Sequence, residues 1–176
     1  MKLNSIQIKS GVNLHYLQTN KFKTTTLGLY FHRPLTREEA SLNALLSMVM
    51  RRACPDYPTS RQLAIKLNSL YAASLETGVR KKGDSQIISF NFSFANEKFI
   101  GKSESIMDSI LKIAKNLILS QTEFSEEIVN QEKENLKLQI LSQINDKRQY
   151  AIQRCLEIMC KNEPFGINRL GYIEDV

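Results

Sequence analysis

Histidine occurs only twice in the 176 residues, as His15 and His32, and cysteine three times, as Cys54, Cys155 and Cys160. An odd number of thiols without CxxC spacing argues against both a disulfide framework and a thiolate metal site. The three are expected to be buried or idle. Any mechanism that needs two clustered imidazoles must use both histidines or do without. Glycine (7) and proline (4) are sparse too, and there is no low-complexity tract, so the chain does not read as disordered. No run approaches the ~20 apolar residues of a membrane span. The first fourteen residues lack the continuous apolar stretch of a signal peptide. A cytoplasmic location with no membrane partner is the expectation.

What is present is the material of a packed domain: 42% apolar and 24% charged residues, with a modest formal charge of +6. The basic clusters Arg51-Arg52 and Arg80 to Lys82 have no interleaved aromatics and no nucleic-acid motif beside them, so they read as solvated surface charge rather than a phosphate-binding face. No GxxxxGK[ST] occurs, which argues against nucleotide binding.

Periodicity gives the elements. Ile6 to Leu17 reads as a strand around a turn at Gly11, and Thr24 to His32 as a β-branched, aromatic strand paired with it. Thr36 and Glu39 stand at capping-box spacing before a helix from about Arg37 to Ala53, carrying Leu42, Leu45, Leu46 and Val49 on one face. The CPDYP stretch breaks it. Thr59 and Gln62 then cap a second helix with Leu63, Ile65, Leu67 and Leu70. Ser74 to Arg80 and Ile87 to Ala95 form a hairpin about Gly83, and the alternation of Ile88, Phe90, Phe92 and Phe94 with Ser89, Asn91 and Ser93 marks one core face and one polar face. A helical stripe follows from Ser103, closed by a TEFS turn at residues 122–125. Ser125 caps a charged helix through about Ile144, whose Glu132, Lys133, Glu134 and Lys137 read as an exposed, ion-paired face. Another helix carries Ile152, Leu156 and Met159, ahead of the loop NEPFGINRLGYIEDV. The order β-β-α-α-β-β-α-α-α predicts an antiparallel α+β fold, a sheet covered by helices.

Several separated segments resemble the insulinase/pitrilysin family of zinc peptidases. KSGVNLHYL resembles the family's opening strand, and LNALLSMVM sits where its HxxEH helix belongs. SRQLAIKLNSLYAASLETG resembles the helix and strand after it, and FSEEIVNQEKENLKLQI the helix that delivers a distal glutamate ligand. EPFGINRLG resembles the family's Pro-x-Gly-x-x-x-x-Gly loop. In the HxxEH motif two imidazoles hold zinc and the carboxylate activates its water. Carried over position by position, the first histidine falls on Asn43, the base glutamate on Leu46, the second histidine on Ser47 and the distal glutamate on Gln139. Val79 to Ser103 is also longer than in catalytic members.

The resemblance therefore implies an inactive member, a pseudo-metallopeptidase with no zinc and no other cofactor. It implies residues 1–176 as a single, incomplete N-terminal domain, with the rest of that domain and a second similar one beyond it, and a fragment prone to self-association. It further implies a partner that bears the intact HxxEH motif, in a heterodimer whose chamber walls hold an extended peptide. Peptide would add to the sheet edge at Leu75, Glu76, Thr77 and Gly78, a mode that uses backbone groups and no catalytic residue. The alternative is a stand-alone peptide-binding or scaffold protein without a peptidase partner.

Overall fold

The centre of the fold is a strand with neighbours on both sides and helices on one face. A computed structural model describes residues 3–100, 105–120 and 123–176. Its strands are β1 (Leu3–Lys9), β2 (Val12–Leu17), β3 (Thr24–Pro34), β4 (Ser74–Lys82) and β5 (Ser85–Ala95). Its helices are α1 (Arg37–Met50), α2 (Ser60–Ser69), α3 (Ile106–Leu119), α4 (Glu126–Ser142) and α5 (Lys147–Met159). The start of the third helix at Ser103 and the Thr122 end of the predicted turn lie outside the described residues.

β5 lies between β3 and β4 in an antiparallel sheet of order β3-β5-β4. Its Ile88, Phe90, Phe92 and Phe94 are all buried, as strict period-two alternation requires of a strand with one face turned to the core. The register sets Leu29 opposite Phe90 and Leu27 opposite Phe92 on one side, and Thr77 and Leu75 opposite the same residues on the other. Gly83, at φ +56°, turns β4 into β5. α1 packs on β4, β5 and α4. α3 contributes Ile106, Ile110, Ile113 and Leu117 to the core, and α4 contributes Leu136.

The helix starts follow the capping signals. The Thr36 hydroxyl accepts from the Glu39 amide, and Thr59 and Gln62 form a reciprocal capping box, which satisfies amides that have no partner inside the helix. Glu39 does not close its box. Its carboxylate instead accepts from Arg33 at 2.6 and 3.0 Å, and that hydrogen bond holds it below the usual carboxylate range. Ser125 stands at the N-cap of α4 without a side-chain capping bond.

Several expectations are corrected. The first segment is two strands, not one, and β1 and β2 form a sheet of their own instead of pairing with β3. The partner of β3 is β5, because β5 offers the longer apolar row and an eleven-residue register. α1 ends at Met50, and Ile65 of α2 is exposed. The polar face of the hairpin is covered in part, since Ser89 is buried and its hydroxyl donates to the Gly78 carbonyl. Of the thiols, only Cys54 is buried, and burial pushes it above its ordinary pKa.

The basic clusters and the charged helix also differ from expectation. Glu132 is fully buried in α4 and lies 3.0 Å from the guanidinium of Arg52, though not in hydrogen-bonding orientation. Arg52 also donates to Gln131 at 2.7 Å. Lys81 is partly buried and donates to the carbonyls of Phe165 and Ile167. Neither Arg52 nor Lys81 is idle surface charge. Lys137 and Glu134 do form the expected exposed pair.

Phe92, with no exposed surface, provides the test of this core. Phe92→Ala is expected to cost about 3–5 kcal/mol in equilibrium denaturation of the natural full-length protein, and a loss below ~1 kcal/mol would mean that the row does not carry the sheet.

Candidate functional site

The face of α1 that meets the sheet is held by one buried amide. Gln86 stands in the core phase of β5, opposite Lys81, and has no exposed surface. Its Nε2 donates to the carbonyls of Ala40 (3.0 Å) and Arg169 (2.7 Å), and its Oε1 accepts from Asn43 Nδ2 at 2.8 Å. A buried carboxamide without partners is costly. This one uses both donor hydrogens and its acceptor, and in doing so ties β5 to the first half of α1 and to the loop at residues 163–172.

That loop is locked on α1 in turn. Gly171 has φ +74°, and a Cβ there would overlap the Oγ and backbone of Ser41, so only glycine fits. The Tyr172 amide donates to Ser41 Oγ at 3.1 Å. Arg37 stacks 4.5 Å over the Tyr172 ring and pairs with Glu174 and Asp175. Gly166 has the same necessity, since a Cβ would overlap the Cys160 carbonyl.

Between α1, α4 and the outer edge of β4 lies a cleft of about 790 Å³. It is lined by Ser47 of α1, Glu76, Thr77 and Gly78 of β4, and Gln139 of α4. Five of the residues singled out from sequence thus meet in one place. The other three do not line it. Asn43 is turned to Gln86, Leu46 packs against the core, and Leu75 lies at the core margin. His15, bonded to Ser5, is on β2 and His32 is on β3. Neither lines the cleft. Among the described residues no three His, Cys, Asp or Glu side chains are grouped so as to hold a metal ion.

The cleft runs along a strand edge. The Gly78 carbonyl is reached by Ser89 of β5, whereas the Val79 carbonyl accepts from Arg169 Nη1 at 3.0 Å. In an antiparallel strand successive residues turn their main-chain groups to opposite sides, so Leu75 and Thr77 share the outward direction of Val79. Thr77 is steadied by its own hydroxyl, which donates to the Ser47 carbonyl at 2.7 Å. Beyond Gly78 the edge is already covered, by Arg169 on Val79 and by the loop that Lys81 holds. Lys81 also lies 4.5 Å over the Phe165 ring. Burial pushes its ammonium below the ordinary lysine value, opposed by the Glu157 charge.

The resemblance singled out positions on α1 and α4. It did not single out Gln86, Lys81 or Arg169. Gln86 carried a signal nonetheless, a polar residue in phase with Ile88 and Phe90. Arg169 carried none, because its role depends on a contact 90 residues away in the chain.

No family model matches the chain. A curated Bacillus subtilis protein named "Probable inactive metalloprotease YmfF" is 31% identical over 99% of the chain, which spans 42% of that protein. A solved structure of a conserved protein from Enterococcus faecalis is 30% identical, with a TM-score of 0.87 over 98% of the chain and 42% of its own length. A peptidase M16 inactive domain from Pseudomonas fluorescens, 12% identical, superimposes with a TM-score of 0.74 and shares the fold. The chain therefore spans about two fifths of the length of the relatives it matches.

The Gln86 network is testable at Asn43. Asn43→Ala removes the donor to Gln86 Oε1 and is expected to cost about 1–3 kcal/mol in equilibrium denaturation of the natural full-length protein. A loss below ~0.5 kcal/mol would show that this amide does not hold α1 on the sheet.

Proposed function

The chain belongs with the inactive members of the insulinase family, and from that premise we propose that the protein it is part of is a non-catalytic, chamber-forming subunit that holds extended peptide for a partner bearing an intact HxxEH motif. The observation that carries this reading is the cleft itself. An edge strand with outward main-chain groups at Leu75 and Thr77 borders α1 and α4, the helices to which the family resemblance would assign the zinc-ligand positions. Ser47 and Gln139, a hydroxyl and a carboxamide, occupy that border and offer no ligand set for the ion. Peptide capture at Leu75, Glu76, Thr77 and Gly78 does not need them, since strand addition draws its affinity from the backbone and its selectivity from the flanking side chains. Proteolysis itself would then belong to the partner, with the cleft of this subunit supplying a wall.

Two measurements test the reading on the natural full-length protein. Mixed with the HxxEH-bearing relative from the same genome, it is expected to co-elute as a complex and to change that relative's rate of peptide cleavage. Neither association nor a rate change would remove the partner role. Thr77→Pro deletes one outward N–H while sparing the β4–β5 ladder, as proline does on an edge strand. It is expected to weaken binding of a neutral extended peptide about tenfold relative to Thr77→Val, which loses the same hydroxyl bond to Ser47 but keeps the N–H. Undiminished peptide affinity would place the peptide elsewhere.

A further inference from the structure

We propose that the cleft selects acidic peptide segments. This inference rests on the reading of the β4 edge as the peptide site and adds to it the chemical class of the peptide. Four cations line the cleft, Arg51 at the end of α1, Arg80 and Lys81 on β4, and Arg169 on the loop, against the single carboxylate of Glu76. Elsewhere among the described residues the cations next to carboxylates are taken up: Arg33 by Glu39, Arg37 by Glu174 and Asp175, Arg52 by Glu132, Lys112 by Asp56, Lys137 by Glu134, and Arg154 by Glu157. None of the four cleft cations takes part in these pairs. Arg169 is used on a backbone carbonyl, which leaves its charge uncancelled, whereas Lys81 donates to two carbonyls and also faces the Glu157 charge.

The four also surround the edge rather than one end of it. Arg51 stands on the α1 side, whereas Arg80 alternates with Glu76 and Gly78 on the outer face of the sheet, and Arg169 with Lys81 marks the point where the open edge stops. A strand laid beside Leu75 and Thr77 would direct its alternate side chains toward Arg51 on one face and toward Arg80 on the other. Carboxylates at those places would meet guanidinium groups that no carboxylate among the described residues pairs, in a partly enclosed cleft where screening is weaker than on open surface. A basic segment would meet like charge instead, which is how charge excludes wrong partners. Nucleic acid is the less favoured occupant. The edge offers a ladder of amide donors and carbonyls, which matches a peptide main chain, and the cleft's polar lining of Ser47, Thr77, Ser89, Asn91 and Gln139 includes no aromatic ring on which a base could stack.

The test is fluorescence anisotropy on the natural full-length protein with three capped twelve-residue peptides of one Thr/Val framework, carrying three glutamates, no charge, or three lysines. The acidic peptide is expected to bind about tenfold more tightly than the neutral one at low salt, with the gap closing at 0.5 M NaCl. The lysine peptide is expected to bind most weakly. The double variant Arg51→Glu, Arg80→Glu alters two exposed side chains and is expected to abolish or invert the preference between the acidic and the lysine peptide. Equal binding of all three peptides would overturn the charge selectivity and leave the edge site standing. Binding of none would overturn both. A single-stranded oligonucleotide of twelve nucleotides that bound more tightly than the acidic peptide would overturn the assignment in favour of nucleic acid.

Discussion

The buried amide of Gln86 is the constraint on which the arrangement of the site depends. A carboxamide in the core must place three hydrogen bonds at once, and here the partners come from three separate pieces of chain, Ala40 and Asn43 of α1 and Arg169 of the loop after α5. No sliding or rotation of α1 on the sheet keeps all three. The register of α1 over β5 is therefore set by a directional interaction, where apolar packing alone would tolerate several. Once α1 is fixed, Ser47 falls beside Thr77 and its carbonyl receives the Thr77 hydroxyl. The same amide fixes the Arg169 backbone, and hence the reach of the Arg169 side chain to the edge of β4.

α4 is set against α1 by a different device. Glu132 is fully buried and its carboxylate faces Arg52, just past the end of α1. Removing two charges from water is unfavourable, and their attraction only roughly offsets it, so the pair is a poor source of net stability. It is a strong determinant of position, because a buried carboxylate cannot be left without its cation. Gln139 lies seven residues, or two turns, further along α4 and so on the same face, about 10 Å along the axis. The pair that holds Glu132 to Arg52 thus presents Gln139 to the cleft. The run of alternating charge in α4 concealed this, since local sequence does not distinguish a buried glutamate from its exposed neighbours.

Most of the framework was legible wherever the signal was local. The β4–β5 hairpin announced itself through Phe90, Phe92 and Phe94 and a glycine turn, and the capping residues Thr36 and Thr59 located two helix starts. β1 and β2 were misread as one strand paired to β3, because β-propensity says which residues are extended but not which strands meet. That choice was made 60 residues away by the apolar row of β5. The α1 and α4 positions of the site were reached through resemblance to a family, and the structure brings Ser47 and Gln139 into one cleft. The residues that shape the cleft around them were not legible. Lys81 and Arg52 looked like surface charge because their partners, the loop carbonyls and Glu132, lie more than 75 residues along the chain.

A zinc site and a strand edge respond differently to substitution. Metal binding is carried by three or four side chains, and replacing them removes it outright. An edge strand binds through main-chain groups that every residue but proline possesses in full, and it persists as long as the sheet and its covering helices do. The elements that maintain the edge here, the Phe row of β5, the Gln86 amide and the Thr77 hydroxyl on Ser47, require no metal ligand. The loop from Pro164 to Gly171 shows the same separation. Its two glycines are required by contact with Cys160 and Ser41, its lysine and arginine contacts close the end of the edge, and none of this depends on chemistry at the cleft. These contacts set where the open edge of β4 lies and where it ends.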